Sequence, residues 1–146
     1  MITLDTIDRR ILAALQSDAT LSVAELAERV GLSQTPCWKR IKRLEGAGVI
    51  TGRVALLDRM QLGVGTTVFV SVRTSQHDED WLIQFAEAIR AIPEVTEFYR
   101  MSGDVDYLLK IVCRDIADYD RIYKAMIRAA KLSDVSSSFA MEQIKY

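Results

Sequence analysis

Four cations crowd one short stretch, Lys39, Arg40, Lys42 and Arg43, and Arg53 follows; across residues 33–53 these five meet a single acid, Glu45. Such a density of Lys and Arg is the chemistry of phosphate binding. Interleaved with it, Gln34 and Thr35 carry donors and acceptors suited to base edges, while Trp38 suits a base contact and a core anchor equally. The same composition also describes an ordinary solvated helix face, so the surroundings have to decide. A second candidate lies at Ser102-Gly103-Asp104 with Asp106 close behind. Read alone, Ser-Gly-Asp is a hairpin turn, and two carboxylates two residues apart on a strand share a face. No nucleophile, metal set or phosphate loop accompanies that pair, so an enzyme is not expected.

The cations need a helix to align them, and the sequence supplies one with its own signals. Ser33 stands at a cap position, Pro36 falls in the first turn, and Gly46 and Gly48 end the segment. At 100° per residue Cys37, Ile41 and Leu44 share one face, Thr35, Lys39, Lys42 and Arg43 the other, with Gln34, Trp38 and Arg40 flanking. Upstream, Ser22-Val-Ala-Glu25 reads as a capping box opening a helix with Leu26, Ala27 and Val30 inward, closed at Gly31-Leu32. A helix, a three-residue turn with glycine and a basic helix make a helix-turn-helix, whose second helix enters a DNA major groove. Asp5 and Asp8 open an earlier helix with Ile7, Ile11, Leu12 and Leu15 at helical spacing, completing a tri-helical unit. Past Gly48, Gly52 separates two β-prone runs that predict a hairpin or an extended wing, with Arg53 at its tip as a phosphate contact or a plain loop arginine.

Residues 59–65 shift in composition and read as a hinge between domains 1–58 and 66–146. Beyond it, Thr66–Thr74 alternates Val68, Val70 and Val72 against Phe69, Ser71 and Arg73, a strand. Asp80 is expected to cap a helix with Leu82, Phe85, Ala86 and Ile89 inward. Strands follow near Val95–Met101 and Val105–Cys113. Asp115 caps a helix carrying Tyr119, Ile122, Tyr123, Met126, Ile127 and Ala130 inward, and a last strand runs from about Val135 to Lys145. The order βαββαβ is the ferredoxin-like plan, giving an α+β chain: a winged helix-turn-helix, then a ferredoxin-like domain. That plan leaves one sheet face uncovered, which a second copy of the chain would bury.

Formal charge is only −1, but residues 1–59 carry nine Lys/Arg against seven Asp/Glu and residues 60–146 ten against thirteen. The positive excess sits where the basic helix lies. Cys37 and Cys113 are the only cysteines and look like small core residues, although Cys37 in the basic helix leaves a redox-sensing regulator as an alternative. His77 is the sole histidine, in a polar loop, which leaves no Cys/His zinc set. With no signal peptide and no apolar run near membrane-spanning length, a cytoplasmic protein is expected.

Taken together, these residues resemble a family, the Lrp/AsnC (feast/famine) bacterial transcription regulators, over essentially the whole chain. The carriers are Ile7-Asp-Arg-Arg-Ile-Leu12, Leu26-Ala27 with Val30-Gly-Leu-Ser33, Thr35-Pro-Cys37, Arg40-Ile-Lys-Arg-Leu-Glu45, Gly48-Val-Ile50 and Ser102-Gly-Asp-Val-Asp-Tyr-Leu-Leu109. Thr35–Glu45, Val54–Asp58 and Ser133–Tyr146 are similar to the branch of the cysteine-responsive regulator of cysteine detoxification; similar tails occur in regulators of branched-chain keto-acid and proline breakdown. The resemblance implies double-stranded DNA as partner, a homodimer commonly assembled into an octamer, no cofactor, and a small amino acid as effector, cysteine favoured. Within the basic segment it points to Ser33, Gln34, Thr35, Trp38, Lys39, Lys42, Arg43 and Arg53 for DNA. For the effector it points to Met101, Ser102, Gly103, Asp104, Asp106 and Tyr107, with Ser136 and Ser138 as neighbours. An amino acid offers an ammonium and a carboxylate, and this turn offers Asp104 to one and backbone N–H groups around Gly103 to the other. An amino-acid-binding module without DNA function is the further alternative.

Overall fold

In the computed structural model, residues 2–75, 78–129, 132 and 134–145 are described, and the chain divides into two compact units, Met1–Leu56 and Leu57–Tyr146. His77 and Ala130 lie outside the described residues. The first unit holds α1 (Thr6–Ser17), α2 (Val23–Val30) and α3 (Gln34–Gly46). Asp5 and Asp8 cap α1 reciprocally, each side chain accepting the other's backbone N–H, and Ser22 with Glu25 does the same for α2. Gly31 closes α2 in the left-handed conformation, at φ 73°, which any Cβ would disfavour. Ser33 occupies the cap position of α3, but its hydroxyl makes no capping hydrogen bond. Ile11, Leu26, Ala27, Val30, Cys37, Ile41 and Leu44 form the buried core shared by the three helices. Its Ile, Leu and Val side chains contribute roughly 1.5–3 kcal/mol each when fully buried.

The hairpin expected around Gly52 is absent. The Val49 and Ile50 N–H groups both turn back to the Leu44 carbonyl, and residues 51–58 are exposed and take no regular secondary structure. Two-residue hairpin turns need positive φ, which Gly52 does not adopt, so nothing closes a ladder across it. Next, residues 58–64 make a hydrogen-bonded turn: the Asp58 side chain accepts the Met60 and Gln61 N–H groups at 2.9 and 3.2 Å.

The second unit contains β1 (Thr66–Arg73), α4 (Glu79–Arg90), β2 (Val95–Arg100), β3 (Tyr107–Cys113), α5 (Ile116–Ala129) and β4 (Asp134–Phe139). Its antiparallel sheet has the order β2-β3-β1-β4, the ferredoxin-like arrangement. The period-two pattern holds: Val68, Val70 and Val72 are buried with Leu109 and Ile111 under Phe85, Ile89, Ile122 and Met126, while Phe69, Ser71 and Arg73 face the other way. Three expectations need correction. Asp78, not Asp80, caps α4, its carboxylate accepting the Trp81 N–H at 2.8 Å. Ile127 is exposed rather than inward. The last strand stops at Phe139, where its pairing with β1 ends opposite Val68, and one further backbone bond runs from the Ala140 N–H to the Thr67 carbonyl at 2.9 Å. Across the uncovered sheet face, Phe69 stands opposite Lys110 and Ser138, and Ser71 opposite Leu108 and Ser136.

Candidate nucleic-acid interface and effector turn

Cys37, Ile41 and Leu44 anchor α3 to its core and so fix which residues point outward: Ser33, Gln34, Thr35, Trp38, Lys39, Lys42 and Arg43 are all exposed. Trp38 is 49% exposed, which resolves its double expectation in favour of an outward ring. The cations differ in their partners. Lys39 has no ion pair among the described residues. Lys42 Nζ lies 2.8 Å from Glu45 Oε2, and Arg53 Nη2 lies 3.3 Å from Glu45 Oε1, surface pairs that a phosphate could displace at small cost. Arg40 turns inward, its Nη1 reaching Asp5 at 2.6 Å and Asp8 at 2.8 Å. Arg43 keeps a half-exposed side chain while its Nη2 donates to Asp8. Asp8 is fully buried. Burial pushes its carboxyl up, but hydrogen bonds from Arg40, the Asp5 N–H and Arg43 more than offset that and hold its pKa below the ordinary value. Sequence reasoning placed Asp5 and Asp8 as helix-opening acids and missed their long-range partners, since a separation of 32 to 35 residues leaves no local signal.

Cys37 is wholly buried, and burial raises its thiol pKa. A redox sensor needs an accessible thiolate, and α3 does not offer one.

In the second unit, the β2–β3 turn exposes Met101, Ser102, Gly103 and Asp104. Its base is tied down: Met101 N–H donates to the Asp106 carbonyl at 2.8 Å, and the Asp106 carboxylate accepts the Thr74 N–H at 2.8 Å. Gly103 sits at φ 121°, a conformation that side chains rarely adopt. Among the described residues no acceptor takes the N–H groups of Ser102, Gly103 or Asp104. Arg73, at the end of β1, donates from Nε to the Asp104 carbonyl at 2.6 Å and pairs through Nη1 with Asp134 at 3.3 Å. An open cleft of about 450 Å³ lies beside it, lined by Ser71, Arg73, Val105, Asp134, Val135 and Ser136. Sequence reasoning set Arg73 down as an outward strand residue, because only the β1–β3 register brings it to the turn.

Two expected effector residues fall elsewhere. Tyr107 is buried, its ring 5.3 Å from Phe85, 5.6 Å from Phe98 and 6.1 Å from Trp81, because β3 begins there and aims it into the core. Ser138 pairs opposite Phe69 on the open sheet face and does not line the cleft, whereas Ser136 does.

Residues 4–51 match a winged helix-turn-helix DNA-binding family, and residues 67–146 match the Lrp/AsnC ligand binding domain. The chain belongs to the Lrp/AsnC family. It is 51% identical to the DNA-binding transcriptional activator DecR of Escherichia coli K12 over 144 residues, covering 98% of this chain and 95% of that protein. An AsnC family transcriptional regulator from Agrobacterium tumefaciens superposes with a TM-score of 0.92 at 59% identity, with 98% of this chain and 94% of that one covered. A transcriptional regulator from Neisseria meningitidis, solved as a complex with L-Met, gives a TM-score of 0.91 at 34% identity, covering 99% and 94%. This Lrp/AsnC protein is therefore a DNA-binding transcriptional regulator with an amino-acid-binding domain, and the relatives it matches are named as regulators, not enzymes. The alternative of a ligand-binding module without DNA function does not stand, because the DNA-binding match covers α1 to α3. Among the described residues no helix is long and apolar enough to cross a membrane.

Proposed function

We propose that this regulator reads double-stranded DNA through the outward face of α3 and changes its assembly on DNA when a small amino acid occupies the β2–β3 turn. Gln34, Thr35 and Trp38 meet base edges; Ser33, Lys39, Lys42 and Arg53 hold phosphates, and Arg43 reaches phosphate or guanine. The observation that carries this is the combination on one short stretch of an outward Trp38, a Lys39 with no ion pair among the described residues, and the exposed N-terminus of α3.

For the effector, Arg73 and the free N–H groups of the turn take the carboxylate, and the Asp104 side chain takes the ammonium. Cysteine is the favoured effector on the residues shared with its branch, with proline and branched-chain amino acids next; the L-Met complex of the Neisseria relative supports an amino acid in general. The working unit is a cytoplasmic homodimer that assembles further to an octamer. Effector and DNA are then linked through the assembly equilibrium, with a coupling of roughly 1–3 kcal/mol.

The test is a titration of the purified protein on the DNA upstream of its own gene, at two salt concentrations, with and without L-cysteine, L-methionine, L-proline and L-leucine. A steep salt slope and a shift by one amino acid is the expected result. Absence of any specific, salt-dependent binding would overturn the DNA-facing assignment of α3, and binding that no amino acid moves would overturn the effector turn.

A further inference from the structure

Asp8, the buried carboxylate beneath α3, closes the capping box of α1 by accepting the Asp5 N–H, and that local role leaves its contacts with Arg40 and Arg43 of α3 unexplained. Asp8 is 0% exposed, an expensive place for a charge unless it is fully hydrogen-bonded. It is: Oδ1 accepts Arg40 Nη1 at 2.8 Å, and Oδ2 accepts both the Asp5 N–H at 3.1 Å and Arg43 Nη2. Arg40 spends its charge here, since its Nη1 also meets Asp5 and its side chain is only 29% exposed. Arg43 does not. One nitrogen is anchored, its side chain is 48% exposed, and Nε and Nη1 have no partner among the described residues.

Arg43 is tethered through one hydrogen of Nη2, and the other Nη2 hydrogen beside a free Nη1 or Nε remains a parallel donor pair in a fixed orientation, the geometry that bidentate contacts with guanine or phosphate demand. An untethered arginine loses rotamer entropy on binding that a tethered one has already lost. We infer that Asp8 is a positioning residue for DNA recognition, acting through Arg43: it anchors Nη2 from below α3 and so presents the remaining guanidinium donors outward, while tying Arg40 down as helix support. This rests on α3 being the DNA-facing helix.

Electrostatics and positioning make opposite forecasts, which gives a clean test. Asp8→Asn keeps the shape and removes a negative charge from the DNA-binding unit, so by charge alone DNA affinity rises. Positioning says that affinity for the cognate upstream duplex falls roughly tenfold, the scale of one well-placed arginine contact, while affinity for a random-sequence duplex stays level or rises. Arg43→Lys, which keeps the charge and loses the fork, is expected to show the same selective loss. Asp8→Asn added to Arg43→Ala is expected to cost nothing further. All affinities are taken at temperatures where thermal melts show each variant folded, and Arg43→Lys carries the test should Asp8→Asn fail to fold. Cognate affinity unchanged or tighter in Asp8→Asn, with Arg43→Ala weakened, overturns the role of Asp8 and leaves α3 on the DNA. The same holds if Arg43→Lys matches the wild type. Full cognate affinity in Arg43→Ala removes both Arg43 from the interface and Asp8 from recognition.

Discussion

Gly103 has open space around it, with no atom within 4 Å of where a Cβ would stand, so a side chain there is opposed by backbone conformation rather than by a clash. Replacing it with Trp distorts the turn and fills the space above it. Gly103→Trp, Asp104→Ala and Arg73→Ala are each expected to abolish the amino-acid response while DNA binding without effector stays within about twofold, the usual reach of a surface change. Isothermal titration with the amino acid and a DNA shift assay separate the two effects; loss of DNA binding in all three would mean the sites are not separate. On α3 the cations should divide by what they already hold. Lys42→Ala is expected to lower affinity on every sequence and to reduce the salt slope by about one, as for a single phosphate contact. An unchanged slope would show that Lys42 serves Glu45 and not DNA.

The join between β3 and α5 depends on one acid. Asp118 accepts the Arg114 N–H at 3.2 Å and Arg121 Nε at 3.0 Å, and Arg121 reaches on to Glu94 just before β2. The Arg114 backbone N–H and the two guanidinium groups hold its pKa down to about 2, from an ordinary 3.8. A carboxyl with a depressed folded pKa contributes stability above its unfolded value and loses it as pH falls through the folded one. Asp118→Asn should therefore be less stable than wild type at pH 7, with the difference shrinking between about pH 4 and pH 2. Thermal melts followed by circular dichroism across that range check it, and a difference that ignores pH would assign the effect to packing instead. The helix caps show how local rules transfer. Ser22 with Glu25 was readable from spacing alone, because a capping box closes within four residues. At α4, Asp78 and Asp80 are the same residue type two positions apart, and only the observed helix start separates them.

The molecule presents an unpartnered sheet face, on which Phe69 is 39% and Tyr99 50% exposed, with the Lys110–Glu97 pair at 2.7 Å between them. Alongside Phe69, the tail with Met141 and Ile144 almost fully exposed borders a groove of about 650 Å³. Apolar exposure of this kind marks an interface, and a stable one buries about 800 Å² per partner. Phe69→Glu, which would place a charge on that face, is expected to convert the proposed dimer to monomer in sedimentation velocity and to weaken DNA binding at least tenfold, since two half-sites are no longer held together. A dimer that persists at micromolar concentration would put the interface elsewhere.

Sequence by itself determined the order of elements, the three helices with their apolar stripes, the period-two strand from Val68 to Val72 and the family to which these patterns belong. Those features rest on short-range repetition and capping, where neighbouring residues carry all of the information. Tertiary structure decided the rest. It buried Tyr107, turned Trp38 outward, left the wing without a ladder, brought Arg73 to the effector turn and joined Asp8 to Arg40 and Arg43. Each of these depends on which distant segment lies opposite, through strand register or helix crossing, and a residue's type is compatible with several such neighbours until packing selects one.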